Sequence, residues 1–270
     1  MKRFPSGQVY KHSFECMGTF FIFSIADDVG AERTTKDVAT ACSILVDADE
    51  RFSLYIPESE TSRLNSKELA WEKASPVQLE VKDLVSQWKD KTTGFFDSVS
   101  PNGIYDPSGL VKTWAAKNAA MFLEANGYGD FTLNAGGDVY LGPRIKSSLL
   151  NRVGLSNLKS VADKGASVNM ILDLTGTPYR AVATSGSAER GDHIWSKGEP
   201  GDLKFLQATV VAADIVTADI WATALISGGQ PALDLFESEF DSHDAIAMIT
   251  AKDGRISSTR GFAQVLADLQ

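Results

Sequence analysis

Cysteine is nearly absent. Cys16 and Cys42 are the two in the chain, and they form no Cys-x-x-Cys pair. This disfavours a disulfide framework and a thiolate zinc site, and both thiols are expected to pack as small apolar side chains. No apolar run is long enough to span a membrane. The opening Met1-Lys2-Arg3-Phe4-Pro5-Ser6-Gly7 is basic but lacks the apolar core of a secretory leader, so the expectation is a cytoplasmic protein. Positive charge is also short: the net charge of −9 argues against a nucleic-acid binder, while leaving room for a local basic pocket. Several motifs are missing too. No Gly-x-Gly-x-x-Gly follows a strand, and there is no Gly-x-x-x-x-Gly-Lys-Ser/Thr, His-Glu-x-x-His or Gly-x-Ser-x-Gly. A Rossmann dinucleotide site, a P-loop, a zincin and an α/β-hydrolase are disfavoured together.

What remains is an ordinary globular composition, with 43% hydrophobic and 23% charged residues. The length of 270 residues does not by itself decide between one domain and two. Strands are expected over residues 19–26, 131–133, 139–141, 167–174, 179–183, 207–212, 245–250 and 256–258. Lys252-Asp253-Gly254 gives the last two a hairpin turn. Helices are expected from Thr35, as cap, to Phe52; from Ser75-Pro76, with Leu79, Leu84, Val85 and Trp88 inward, to Gly94; and from Ser108, as cap, to Leu123. Two more cover residues 216–227 and 231–240, while residues 58–65 read as a polar loop and 157–165 as a possible insertion. Strands and helices mix without a steady β-α-β rhythm, which points to an α+β fold.

Several stretches can carry chemistry. The apolar run Ala181 to Ala183 reads as a strand end, breaking into Thr184-Ser185-Gly186 and followed by Arg190 and His193. Hydroxyls, glycine and a guanidinium suit an anionic oxygen, and an imidazole moves protons near neutral pH. Asp219 and Thr223 stand four apart, on one helix face, as hard oxygen ligands of the kind magnesium takes. On spacing alone the plainer reading is favoured: a capping aspartate and a threonine bonded to its own helix. Asn134-Ala135-Gly136-Gly137-Asp138 could aim paired backbone amides at an anion or be a simple hairpin turn. Lys112 could serve a phosphate near a helix N-terminus or be a solvated surface lysine. Met17 and Tyr55 could bracket a flat ring or be core.

Taken in order, these stretches resemble the ApbE family of flavin transferases. The matching pieces are Met17-Gly18-Thr19, Phe52-Ser53-x-Tyr55, Ser59-Glu60-x-Ser62-Arg63-Leu64-Asn65, Gly94-x-Phe96-Asp97 and Gly109-Leu110-Val111-Lys112. They continue with Asn134-Ala135-Gly136-Gly137-Asp138-Val139, the segment from Ala181 through Gly186 to Arg190 and His193-Ile194, and Ala218-Asp219-x-x-Ala222-Thr223-Ala224. The resemblance implies one ApbE-like domain over residues 1–270, with a T-fold-like core of mixed or antiparallel sheet flanked by helices. It implies magnesium-dependent transfer of the FMN half of FAD to a threonine hydroxyl of an acceptor protein, releasing AMP. Residues Val111 (through its carbonyl), Asp219 and Thr223 would hold the metal, and Lys112, Asp219 and His193, as general base, would be catalytic. The FAD site would take Met17, Tyr55, Glu60, Ser62, Asn65, Asp106, Lys112, Gly136, Gly137, Asp138, Thr184, Ser185, Gly186 and Arg190. The acceptor would carry a short Asp-Gly-x-Ser/Thr-x-Thr pattern.

The chain departs from the family pattern in three places. Lys112-Thr113 replaces Lys-Gly, Asp106-Pro107-Ser108-Gly109 replaces Asp-x-Gly-Gly, and Ile194 to Pro200 replaces the usual segment after the histidine. Two alternatives to the transferase are an FAD pyrophosphatase that releases FMN and AMP, and a non-catalytic FAD-binding protein.

Overall fold

The computed structural model describes residues 9–146, 150–156, 168–186 and 205–267. The described strands are β1 (Tyr10–Cys16), β2 (Thr19–Ile25), β3 (Phe131–Ala135), β4 (Asp138–Leu141), β5 (Arg152–Ser156), β6 (Val168–Asp173), β7 (Ala181–Gly186), β8 (Phe205–Ala212), β9 (Ala245–Ala251) and β10 (Ile256–Ser258). Eight of them form one sheet in the order β1-β2-β3-β4-β7-β8-β9-β10, with every neighbouring pair antiparallel. Strands β5 and β6 form a separate antiparallel pair. The described helices are α1 (Ala31–Phe52), α2 (Glu60–Asn65), α3 (Pro76–Lys91), α4 (Ser108–Ala125), α5 (Ile215–Gly228) and α6 (Gln230–Glu239). This is the α+β architecture expected, with the sheet antiparallel throughout its described pairs.

The sheet has two covered faces. In β2, Phe21, Phe23 and Ile25 are buried while Phe20 and Ile22 are 55% and 39% exposed, the period-2 signature of a strand with one face inward. Those inward residues join Phe131, Leu133 and Ala135 of β3 in a core with α1, α4 and α5. Each phenylalanine removed from water there contributes about 2–3 kcal/mol. Alanines 115, 116, 119 and 120 of α4 are fully buried and let neighbouring helices approach closely. On the opposite face Val139, Leu141, Val182 and Val211 pack with Val153 and Leu155 of β5, Leu172 of β6, and Phe262.

The helix α5 is apolar nearly all round and lies inside the helix-side core, the behaviour expected of such a sequence. Trp221 on it meets Phe236 and Phe240 edge-on, with ring centroids 5.4 and 5.6 Å apart. Its one charged residue, Asp219, is therefore a carboxylate in an apolar helix and must find donors. No described helix is long and apolar enough to cross a membrane.

Several expectations are corrected. Helix α1 starts at Ala31, not behind a threonine cap: the Thr34 and Thr35 hydroxyls donate back to the carbonyls of Gly30 and Ala31. The polar stretch 58–65 contains helix α2, capped by the Ser59 hydroxyl, which accepts from the Ser62 N–H. Helix α3 does begin at the Ser75 cap with Pro76, and Val85, Leu84 and Trp88 do face the core, but Leu79 is turned outward while Gln78 and Val81 are fully buried. Ser108 is the first residue of α4 rather than its cap, and the Asp106 carboxylate accepts its N–H. Strands β1 and β5 were not expected. The segment 157–165, read as a possible insertion, lies outside the described residues.

Candidate active site

Antiparallel pairing brings the turns that carry Met17, Gly136 and Gly137 to one end of the sheet. The β1–β2 turn and the β3–β4 turn are neighbours there, since Phe21 pairs with Ala135 and the Gly136 N–H donates to the Phe20 carbonyl at 3.0 Å. Strand β7 does not end at Ala183; it runs on through Gly186, paired with Gln207. Thr184 and Ser185 are thus strand residues, and successive strand side chains point to opposite faces. The Ser185 hydroxyl meets the Thr223 hydroxyl of α5 at 3.2 Å. Thr184 instead lines a cavity of about 590 Å³ with Ile22, Thr132, Asn134, Gly136, Gly137 and Val139, walled by Val153, Gly154 and Leu155 of β5. This cavity lies on the face away from the helices, where Val139 joins the second core.

On the helix face the charged residues converge. Lys112, Asp138 and Asp219 are 7%, 1% and 2% exposed. The Lys112 ammonium donates to Asp138 Oδ2 and lies 3.7 Å from Asp219 Oδ2. Asp138 Oδ1 accepts the Thr184 N–H at 3.1 Å, and the Thr184 hydroxyl meets that of Thr209 at 3.0 Å. The Thr113 hydroxyl reaches Asp219 Oδ2 at 3.0 Å. Lys112 is therefore not a solvated surface lysine but part of a buried ion cluster joining α4, β4 and α5. Asp219 is neither a cap nor an idle carboxylate, and Thr223 bonds across to β7.

The glycine turn is also corrected. Gly136 and Gly137 have φ of 65° and 107°, a region that favours glycine. Both N–H groups are taken, however: Gly136 by Phe20, and Gly137 by the Asn134 side-chain oxygen at 2.9 Å. Paired amides facing an anion are not what this turn offers. What its first glycine permits is close approach, because a Cβ on Gly136 would lie 2.5 Å from the Thr19 hydroxyl oxygen.

The other expected residues that are described lie in the β1–β2 turn and along α1, α2 and α4 or just beyond them. Met17 sits at φ 52° in the β1–β2 turn, and its N–H donates to Asp49 Oδ2 on the last turns of α1 at 3.2 Å. Tyr55 follows α1 and is 86% exposed, so its ring is open to a stacking partner. Glu60 is already engaged, accepting from the Ser75 N–H, the Ser75 hydroxyl at 2.7 Å and Arg51 at 2.9 Å. Burial alone would raise its carboxyl, but these donors together outweigh it and hold the group below the ordinary glutamate range. Ser62 donates to the Ser53 carbonyl at 3.3 Å. Asn65 bonds both the N–H and the carbonyl of Tyr105, pinning the turn before α4. Val111 is buried in the first turn of α4. Arg190 and His193 lie outside the described residues.

Sequence reasoning passed over Asp49, Thr113 and Thr209. Thr113 was visible only as added bulk beside Lys112, because its partner lies on another helix. Both cysteines are buried and free, as expected. Burial, with Asp49 beside Cys16, pushes the Cys16 thiol up to about 11, and burial pushes Cys42 up to about 11.

The donor chemistry suits a hard divalent cation. Asp219 and Thr223 stand one turn apart on α5 with the Ser185 hydroxyl beside them, all oxygen donors. No group of three His, Cys, Asp or Glu that could hold a metal occurs among the described residues. One carboxylate with neutral oxygens is the sparse set that magnesium uses when substrate phosphates and water complete its shell.

A model of the ApbE family matches residues 100–247. The chain belongs to the ApbE family. Solved ApbE structures share the fold over nearly the whole chain. The flavin transferase ApbE from Vibrio cholerae superposes with a TM-score of 0.75 at 18% identity, covering 96% of this chain and 99% of that one. The ApbE protein from Thermotoga maritima gives 0.76 at 17% identity, with 97% and 100% covered. The Pseudomonas stutzeri flavinyl transferase ApbE, apo form, gives 0.74 at 16% identity, with 99% and 100% covered. Comparison with curated protein sequences gives no match.

Proposed function

We propose that this ApbE-family protein is an FAD:protein FMN transferase. In this reading it moves the FMN half of FAD to a threonine hydroxyl of an acceptor protein and releases AMP, with magnesium. The observation that carries the reading is the buried Lys112–Asp138–Asp219 cluster, linked to Thr113 and lying beside the Ser185–Thr223 hydroxyl pair. Breaking a pyrophosphate needs its charge offset, its phosphorus held in line with a nucleophile, and a proton taken from that nucleophile. Asp138 holds the Lys112 ammonium at the sheet end for the first of these. Asp219, Thr223 and the Val111 carbonyl would hold magnesium, which when bound supplies Lewis-acid neutralisation of phosphate oxygens.

Met17 and Tyr55 would clasp the isoalloxazine, and the cavity beside Gly136, Gly137 and Thr184 offers room for the remainder of FAD. The threonine oxygen of the acceptor attacks the FMN phosphorus, AMP leaves with the electrons of the broken P–O bond, and His193 takes the hydroxyl proton. The proposed acceptor presents a short Asp-Gly-x-Ser/Thr-x-Thr segment. The cellular site of action proposed is the cytoplasm.

The test is chromatographic. Purified protein is incubated with FAD and magnesium, with and without a peptide carrying that pattern, and AMP, FMN and peptide mass are followed. AMP together with a peptide heavier by one FMN is expected. AMP with free FMN and an unmodified peptide would make the protein an FAD pyrophosphatase, and intact FAD would leave only a binding role.

A further inference from the structure

The two carboxylate oxygens of Asp219 are not equivalent. Oδ2 faces α4, where the Thr113 hydroxyl lies at 3.0 Å and the Lys112 ammonium at 3.7 Å. Oδ1 makes no hydrogen bond to a described residue. Thr113 has a second acceptor in reach, the Leu110 carbonyl at 3.3 Å, and a hydroxyl has one proton to give. The shorter contact to an ionised oxygen is the stronger, since charge-assisted hydrogen bonds are roughly twice as strong as neutral ones. Thr113 is fully buried, so water does not compete for that proton.

We propose that Thr113 is a positioning residue for the metal site: by engaging Oδ2 it fixes the Asp219 carboxylate so that Oδ1 alone is presented to a divalent cation. This role presupposes a divalent cation at Asp219 and Thr223, as proposed above. Physically, a carboxylate on a helix rotates about its terminal torsion, which is broad and roughly two-fold. Left unanchored, it would swing both oxygens toward the neighbouring Lys112 ammonium, and each swing removes an oxygen from the metal. A donor fixed on α4 holds the carboxylate plane at no conformational cost, because α4 and α5 pack in the same core. Outer-shell partners of this kind are worth 10- to 100-fold in metal affinity.

The test is binding of Mn²⁺ alone to the full chain, read by the loss of the free-ion signal in electron paramagnetic resonance. Folding is checked by circular dichroism and thermal melting. Thr113→Val keeps the shape and loses the donor; Thr113→Ser keeps the donor. Expected is about a tenfold weaker Mn²⁺ affinity for Thr113→Val, with Thr113→Ser within about twofold of the unmodified protein. A Thr113→Val protein that melts lower but binds Mn²⁺ as tightly overturns the proposal and leaves Thr113 a packing residue. Equal loss in both variants also overturns it, because the hydroxyl is then not the operative group. If the unmodified protein binds no Mn²⁺ and Asp219→Asn is equally silent, the metal site fails and this role with it. FMN transfer to the peptide remains separately measurable in that case.

Discussion

At the scale of single residues, Lys112 decides more than any other side chain. It is an ammonium enclosed with two carboxylates, and removing one partner from a buried ionic cluster leaves charge with nothing to offset it. Lys112→Met should therefore cost about 3–5 kcal/mol, read as a large fall in denaturation midpoint. The double variant Lys112→Met, Asp138→Asn should recover much of that loss, yet neither should support FMN transfer. A Lys112→Met protein as stable as the parent would mean that the cluster is solvated. Asp49 is the second such residue. It anchors the Met17 N–H, and Met17 occupies a left-handed backbone conformation that a non-glycine residue holds only under constraint. Asp49→Ala should destabilise by about 1–2 kcal/mol and weaken FAD binding several-fold by freeing Met17, whereas Asp49→Asn, which keeps an acceptor oxygen, should do neither. Unaltered FAD affinity in Asp49→Ala would separate Met17 from the flavin.

Among the elements, the ends of α1, α2 and α3 are tied at one point. Arg51 from the last turn of α1, Glu60 from the first turn of α2 and the Ser75 cap of α3 bond one another. Glu60 titrates below its ordinary value of 4.5 in the folded protein, because its donors outweigh burial. Its contribution is therefore present above that pH and lost as pH falls through the folded value. Glu60→Gln should cost roughly 2 kcal/mol near neutral pH, and the gap from the parent should close as the pH drops below 4.5. A gap independent of pH would show that packing, not charge, is at work.

This tie also explains what could be read from the sequence. Helix α3 was legible at its start because Ser75-Pro76 is a local signal, and the hairpin at Lys252-Asp253-Gly254 was legible for the same reason. Helix α2 was not, since Glu60 finds its partners on α1 and α3. Edge strand β1 does alternate, with Lys11, Ser13 and Glu15 exposed between the inward Tyr10, His12, Phe14 and Cys16, but His12 interrupts the apolar face and the strand was passed over. The stretches around the site could be found as a set through their resemblance to a family. Their contacts could not: Thr113 meets Asp219 across 106 positions of sequence.

For the molecule as a whole, the sheet separates two halves of one proposed ligand site. The ion cluster and the Ser185–Thr223 pair lie on the helix face, while the cavity lined by Ile22, Asn134 and Thr184 lies on the other. A molecule as long as FAD that used both would have to pass over the sheet end at Gly136 and Gly137. Ile22 is 39% exposed and points into the cavity, so a larger residue there narrows the cavity without disturbing the helix-side core. Ile22→Trp should fold normally and bind Mn²⁺ as the parent does. Its FAD affinity, measured by quenching of flavin fluorescence, should fall at least tenfold, a loss of about 1.4 kcal/mol. Undiminished FAD binding in that variant would confine the nucleotide to the helix face and leave the cavity for something else. A parallel loss of Mn²⁺ affinity would mean that the two faces move together and the sheet does not divide the site.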